Sequence, residues 1–324
     1  MQFQRVIFCA LAMQGWPSLQ VLAQPAYPNK PIRVVVPYVA GGGNDTMGRL
    51  VAQRLTEYFK QQAIVDNRGS AAGRVGTEHA AKSAPDGYTL LLAGSTVMIT
   101  APALYSALPY DMQKDFAPIT TVAFNSYVLV VHPAVPARSV QQFIALCRSR
   151  PGALNFSSSG PGGPAHLAGE LLQGLARVRM VHIPYKGGAP AVLAVIGGEV
   201  DFTFGNIKPA APVIQSGRLH AIAVTSPKRS SILPDVPTFA ESGLPGFEVQ
   251  IIYGVLAPAG TPADIIARLN AALVKGLNTA DTRKRLEADG AELMTGTPED
   301  FARLIRSETE KWSGIIKAAD IRPE

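Results

Sequence analysis

The apolar positions of this chain switch repeatedly between two periods. Ile32, Val34, Val35 and Val36 form a short apolar run ending at Pro37, and Met47, Leu50, Val51, Leu55 and Tyr58 then recur at helical spacing. The first pattern predicts a strand over residues 32–36, the second a helix over 45–59. The same reading predicts strands over 63–66, 89–93, 116–122, 127–131, 154–158, 180–184 and 200–204, with helices over 74–83, 139–149, 165–175 and 189–196. A later strand runs to Pro258, and a helix opens at Thr261 and Pro262 with Ile265, Ile266, Leu269 and Leu273 on its apolar face. Helices over 281–289 and 298–317 end the pattern. Such alternation predicts an α/β fold with mainly parallel sheets.

The pattern restarts after Val131, so two similar halves follow one another. Crossings are expected at 120–127 and between Ser226 and Ile252, which divides the chain into 1–23, 24–123, 124–226 and 227–324. The second and fourth segments form one lobe and the third forms the other.

In each half a strand runs through a glycine-rich loop into a helix. Gly41, Gly42 and Gly43 let the backbone bend and bring N–H groups close to a bound group, and Asn44 or Asp45 is placed to cap the helix. Free first-turn N–H groups and the helix dipole favour a carboxylate or phosphate. An ordinary turn that binds nothing is the alternative. The second copy carries Ser157, Ser158 and Ser159 at the strand end, a loop over 160–164, and Pro164 at the first helical position. There the alternative is that the serines cap the helix and satisfy the turn. Ligands of open α/β sheets sit beyond the carboxyl ends of strands, where both loops fall, so two facing halves would share one cleft.

The first residues set an expectation about compartment. Arg5, the apolar run from Val6 to Met13, and Val21, Leu22 and Ala23 before Gln24 read as a signal peptide cleaved after Ala23. The run falls far short of the roughly 20 residues of a membrane span, so an exported protein in the periplasm, not inserted in the membrane, is expected. Removal of that segment leaves Cys147 as the only cysteine and excludes an internal disulfide. Net charge is +6, carried by scattered basic residues without interleaved aromatics, which argues against nucleic acid.

Catalytic and cofactor motifs are missing. There is no G-x-S-x-G, H-E-x-x-H, C-x-x-C or G-x-x-x-x-G-K-[ST]. Gly160 to Ala165 fits G-x-G-x-x-A, but the acidic residue expected about 20 positions later is absent, which disfavours nicotinamide. The five histidines show no metal spacing. His166, beside the second loop, reads as a hydrogen-bonded structural residue ahead of a base. No cofactor, metal or catalytic residue is expected.

The segments YPNKPIRVVVPYVAGGGND, DNRGSAAGRVGTEHAAKSAPDGYTLL, LPYDMQKDFAPIT, NFSSSGPGGPAHLAGELL, VHIPYKGGAPAV, LPDVPTFAESGLPGFE and GVLAPAGTP together resemble, in order and nearly end to end, the Bug-type solute receptors of tripartite tricarboxylate transporters. The resemblance implies a periplasmic two-lobed type II binding-protein fold, a Venus flytrap. It would act as a monomer that captures a small carboxylate, without chemistry, and delivers it to a membrane permease. By motif position it implies Tyr38, Ala40, Gly42, Gly43 and Asn44 from the first loop, Ser95 and Thr96 after strand 89–93, and Ser158, Ser159, Gly163 and Pro164 from the second. Asp45, His166 and Asn206 join the candidate set beside these motifs. One departure matters: many members have F-D-N where this chain has Phe204, Gly205 and Asn206. Without that carboxylate an ammonium lacks a partner, which favours a non-amino mono-, di- or tricarboxylate. Two rivals stay open: a sensor presenting its closed form to a receptor kinase, and a secreted hydrolase using Ser158 or Ser159 with His166.

Overall fold

The computed structural model describes residues 27–69, 73–105 and 107–322. The expected signal peptide at 1–23 lies outside them. The chain runs β1 (Ile32–Val36), α1 (Gly43–Phe59), β2 (Ala63–Asn67), α2 (Arg74–Ala81) and β3 (Thr89–Gly94). A π-helical turn (Thr96–Thr100) and α3 (Ala101–Leu104) lead into β4 (Phe116–Val131). There follow α4 (Val140–Ser149), β5 (Asn155–Ser158), α5 (Pro164–Ala176), β6 (Val181–Pro184), α6 (Gly188–Ile196), β7 (Phe202–Asn206), α7 (Ile207–Gln215) and β8 (His220–Val224). The chain ends with β9 (Gln250–Pro258), α8 (Ala263–Leu277), α9 (Ala280–Ala288), β10 (Ala291–Leu293) and α10 (Pro298–Ala318).

The strands align in the order β2-β1-β3-β9-β4-β7-β5-β6, with β10 and β8 also paired to β4. The two strands expected over 116–122 and 127–131 are one strand, β4. Up to Ser126 it pairs with β9, and from Tyr127 onward with β7 and β8. The change of partner falls between Ser126, opposite Gln250, and Tyr127, opposite Asn206. The mainly parallel expectation holds for β1, β2 and β3 and for β5, β6 and β7. Every pair made by β4 or β9 is antiparallel, because these strands cross between the halves instead of returning through a covering helix.

Periodicity overlooked α7, which carries Pro212 inside it, and the short β8, β10 and α3. In α7 the amphipathic burial of Ile207, Ala210 and Ala211 against the sheet outweighs Pro212 inside the helix. Three apolar clusters hold the layers. One packs α1 and α8 on β1, β3 and β9 through Val34, Leu55, Leu90, Val255 and Leu273. Another packs α6 and α7 on β4 through Val128, Val195 and Ala210. The largest, with Leu91, Leu129, Phe156, Phe202, Phe301 and Trp312, runs through both halves and seats α10.

α10 begins with a capping box in which Thr297 and Asp300 satisfy each other's backbone N–H groups, so its first turn is fixed where Phe301 enters the core. The Phe301 ring lies directly over Gly254 of β9, where any Cβ would overlap it. Gly254→Ala is therefore expected to destabilise the fold by about 1–3 kcal/mol through overpacking. Urea unfolding of the variant checks this, and an unchanged midpoint would refute it.

Candidate functional site

The first loop is braced by its own helix. Gly41 adopts φ +90° and donates its N–H to Asp45 Oδ2 at 2.9 Å, and Arg49 Nε reaches the same oxygen at 3.0 Å. Burial pushes the Asp45 carboxyl up, but the Gly41 and Arg49 contacts outweigh it and hold the group below the usual carboxylate range. The expected cap by Asn44 or Asp45 is corrected: the N-cap is Gly42, with no side-chain bond, and α1 starts two residues earlier than predicted. Asp45 instead ties the loop from inside the first turn, where the dipole favours its charge. Ala40, Gly42 and Gly43 are exposed, while Tyr38 and Asn44 are partly buried.

Ser95 and Thr96 do not share one role. Ser95 is buried and its Oγ accepts the Ile252 N–H at 2.7 Å, so it fastens β3 to β9. Burial pushes the Tyr38 phenol well above its usual range, against a smaller lowering from the Thr96 side chain.

The second loop is braced differently. Gly160 N–H donates to Ser158 Oγ at 3.0 Å, and the same oxygen lies 3.0 Å from the Gly160 carbonyl and 2.6 Å from His182 Nε2. Gly162 N–H donates to His166 Nδ1 at 3.1 Å, which leaves the ring proton on Nε2, 3.5 Å from Glu170. The His166 and His182 rings stack at 3.7 Å and 8°. Pro164 opens α5 as expected, behind an N-cap at Gly163. Ser159 is exposed, close beside Gly163. The serine and histidine proposed for a hydrolase are thus not a pair: Ser158 meets His182, whereas His166 faces Gly162 and Glu170. Ser158 Oγ is engaged as the turn-satisfying reading described.

A cavity of about 570 Å³ opens beside this loop. Ser158, Ser159 and Asn206 of the candidate set line it, together with Tyr127, Phe204 and Gly205. The first-loop candidates do not line it. Sequence reasoning missed two tyrosines here: Tyr127 lines the cavity, and Tyr253 packs against Gly43 of the first loop. Tyr253 Oη lies 2.8 Å from where a Gly43 Cβ would stand. Burial pushes the Tyr253 phenol up to about 12 and the Tyr127 phenol higher still, so both stay neutral donors. The second loop also packs against the first half, with Gly162, at φ +69°, set against Leu104. Among the described residues, the buried side-chain polar atoms without a partner are Asn44 Oδ1, Asp45 Oδ1, Asn125 Oδ1 and Ser126 Oγ. All lie in the first loop or at the β4 boundary. His182 and the tyrosines left a faint signal, polar rings in otherwise apolar strands.

A family model described as the tripartite tricarboxylate transporter family receptor matches residues 47–321. Protein BugT of Bordetella pertussis is similar, 37% identical over 292 residues that span 90% of this chain and 90% of that protein. The structure of R. palustris Rpa4515 with adipate gives a TM-score of 0.77 at 33% identity, covering 92% of this chain and 100% of that one. The structure of MatC from Rhodopseudomonas palustris with bound malate gives 0.72 at 32% identity, covering 90% and 100%.

Burial and then the neighbouring His166 push the His182 imidazole down to about 4. An unfolded histidine protonates near about pH 6.5. The neutral ring's contribution is therefore whole above that pH and lost as pH falls through about 4. The urea midpoint is expected to drop across this window, and His182→Gln to flatten part of the drop. Equal slopes in both proteins would refute the assignment.

Proposed function

The chain belongs to the tripartite tricarboxylate transporter receptor family, and from that premise we propose that it captures a small carboxylate in the periplasm and passes it to a membrane permease. The observation that supports this reading is the cavity at the second loop, lined by Ser158, Ser159, Asn206 and Tyr127, together with Tyr253 packed against Gly43 of the first loop. In this reading 24–123 and 227–324 form one lobe and 124–226 the other. The backbone N–H groups of Gly42, Gly43 and Asn44 face those of Ser159 and the start of α5 across the cleft, with the Tyr38 and Asn206 side chains at its edge.

Such a grip needs few specific side chains. Ordered water bridging a carboxylate to Asn44, Asn125 and Ser126 would satisfy atoms that otherwise cost about 1–3 kcal/mol each when unpaired. The support for an export route is the leader-like N-terminus together with the absence, among the described residues, of any helix long and apolar enough to cross a membrane. Closure follows from the two crossings, since a ligand held by both lobes has differential affinity for the closed state.

A thermal-shift screen over carboxylates tests the proposal. A true ligand at about 100 times its dissociation constant adds roughly 2.7 kcal/mol of stability, and saturating ligand should shrink the scattering radius. Glutamate and aspartate should bind more weakly in calorimetry than their deaminated analogues. Uptake of the ligand should fail in a strain lacking the gene, which separates transport from sensing. A screen in which no carboxylate raises the melting temperature would overturn the reading.

A further inference from the structure

Beyond its polar mouth, the cavity continues as a groove between α6 and α7, floored by β7. Val192 and Leu193 line it from α6, Pro209 and Ala210 from α7, and Phe204 and Gly205 from the floor. Among the described residues no charged side chain lines it. The Thr203 hydroxyl on its floor is already engaged, donating to the Ser157 carbonyl at 2.7 Å, and the neighbouring Ser157 hydroxyl donates to the Ala191 carbonyl at 2.8 Å. Ser158, Ser159 and Asn206 stand together at the carboxyl ends of β5 and β7, which run parallel, so polarity is confined to one end. Leu193 of α6 is 62% exposed.

Gly205 controls how open this groove is. A Cβ there would meet Ala210 Cβ at 3.7 Å and Val192 Cγ2 at 3.8 Å, one contact from each wall. The residue sits in a regular strand, outside the left-handed region, so a side chain costs no backbone strain there. Any larger side chain would stand between the two helices.

We propose that the α6–α7 groove receives the uncharged body of the ligand, so that the chain selects a monocarboxylate with an aliphatic chain or aromatic ring, with Gly205 as the position that sets specificity. This rests on the preceding reading that a carboxylate is held at the loop amides. A second carboxylate or an ammonium placed in the groove would lose its hydration with no charged partner. An apolar body there gains burial, and the volume lies within the range of small-molecule sites.

Calorimetry across butanoate, hexanoate, octanoate and benzoate, beside succinate, adipate and aspartate, tests the inference. Each added methylene should tighten binding about fourfold until the groove is filled, and succinate and aspartate should bind more weakly than hexanoate. Gly205→Leu should abolish the dependence on chain length. Gly205→Ala, which fits at ordinary contact distance, should reduce octanoate affinity with an unchanged melting temperature, so the test survives if the leucine variant does not fold. Measurable binding that is flat with chain length, or tightest for a short dicarboxylate, would overturn the groove assignment alone. No binding by any carboxylate would overturn the receptor reading with it.

Discussion

The whole arrangement depends on one strand serving two sheets. Backbone N–H and C=O groups buried in a core must be paired, and β4 meets that demand by changing partners between Ser126 and Tyr127 without interrupting its own extension. The return path is held to it by side chains. Thr225 Oγ1 accepts the Tyr127 N–H at 2.9 Å and donates to the Val249 carbonyl at 2.6 Å. Since the crossing is made of hydrogen-bonded strands, any relative motion of the halves must twist those strands. The side chains at the boundary, Tyr127 and Tyr253, are the ones that such motion would move against both loops.

Each loop is fixed by side chains of its own half before anything binds. Asp45 and Arg49 set the first, and Ser158, His182 and His166 set the second. The two solutions differ because the flanking strands differ. β1 ends at an exposed glycine run that needs an internal brace. β5 ends in buried serines beside β6, whose His182 ring lies within reach. A loop ordered in advance loses less entropy when it takes a ligand. The tyrosines add neutral donors without adding charge, and the apolar groove beyond them contrasts with that polar boundary.

The strands and helices of the long periodic segments were legible in the sequence, and so were the glycine loops, because both depend on neighbours within a few residues. Pro164 at the start of α5 follows from its missing N–H, and needs no tertiary information. The elements overlooked were short or proline-containing, where local preference is weak or contrary. The functional reading also came from ordered motifs, whose agreement with the family is a property of sequence.

What the sequence alone determined was the α/β alternation, the two loops and the missing catalytic sets. What only the tertiary structure decided was who stands beside whom: His182 rather than His166 against Ser158, Tyr253 beneath Gly43, and Gly205 between Val192 and Ala210. These contacts join residues up to 210 positions apart, as Gly43 and Tyr253 are. Strand register and the partner change of β4 bring them together, and no local period carries that information.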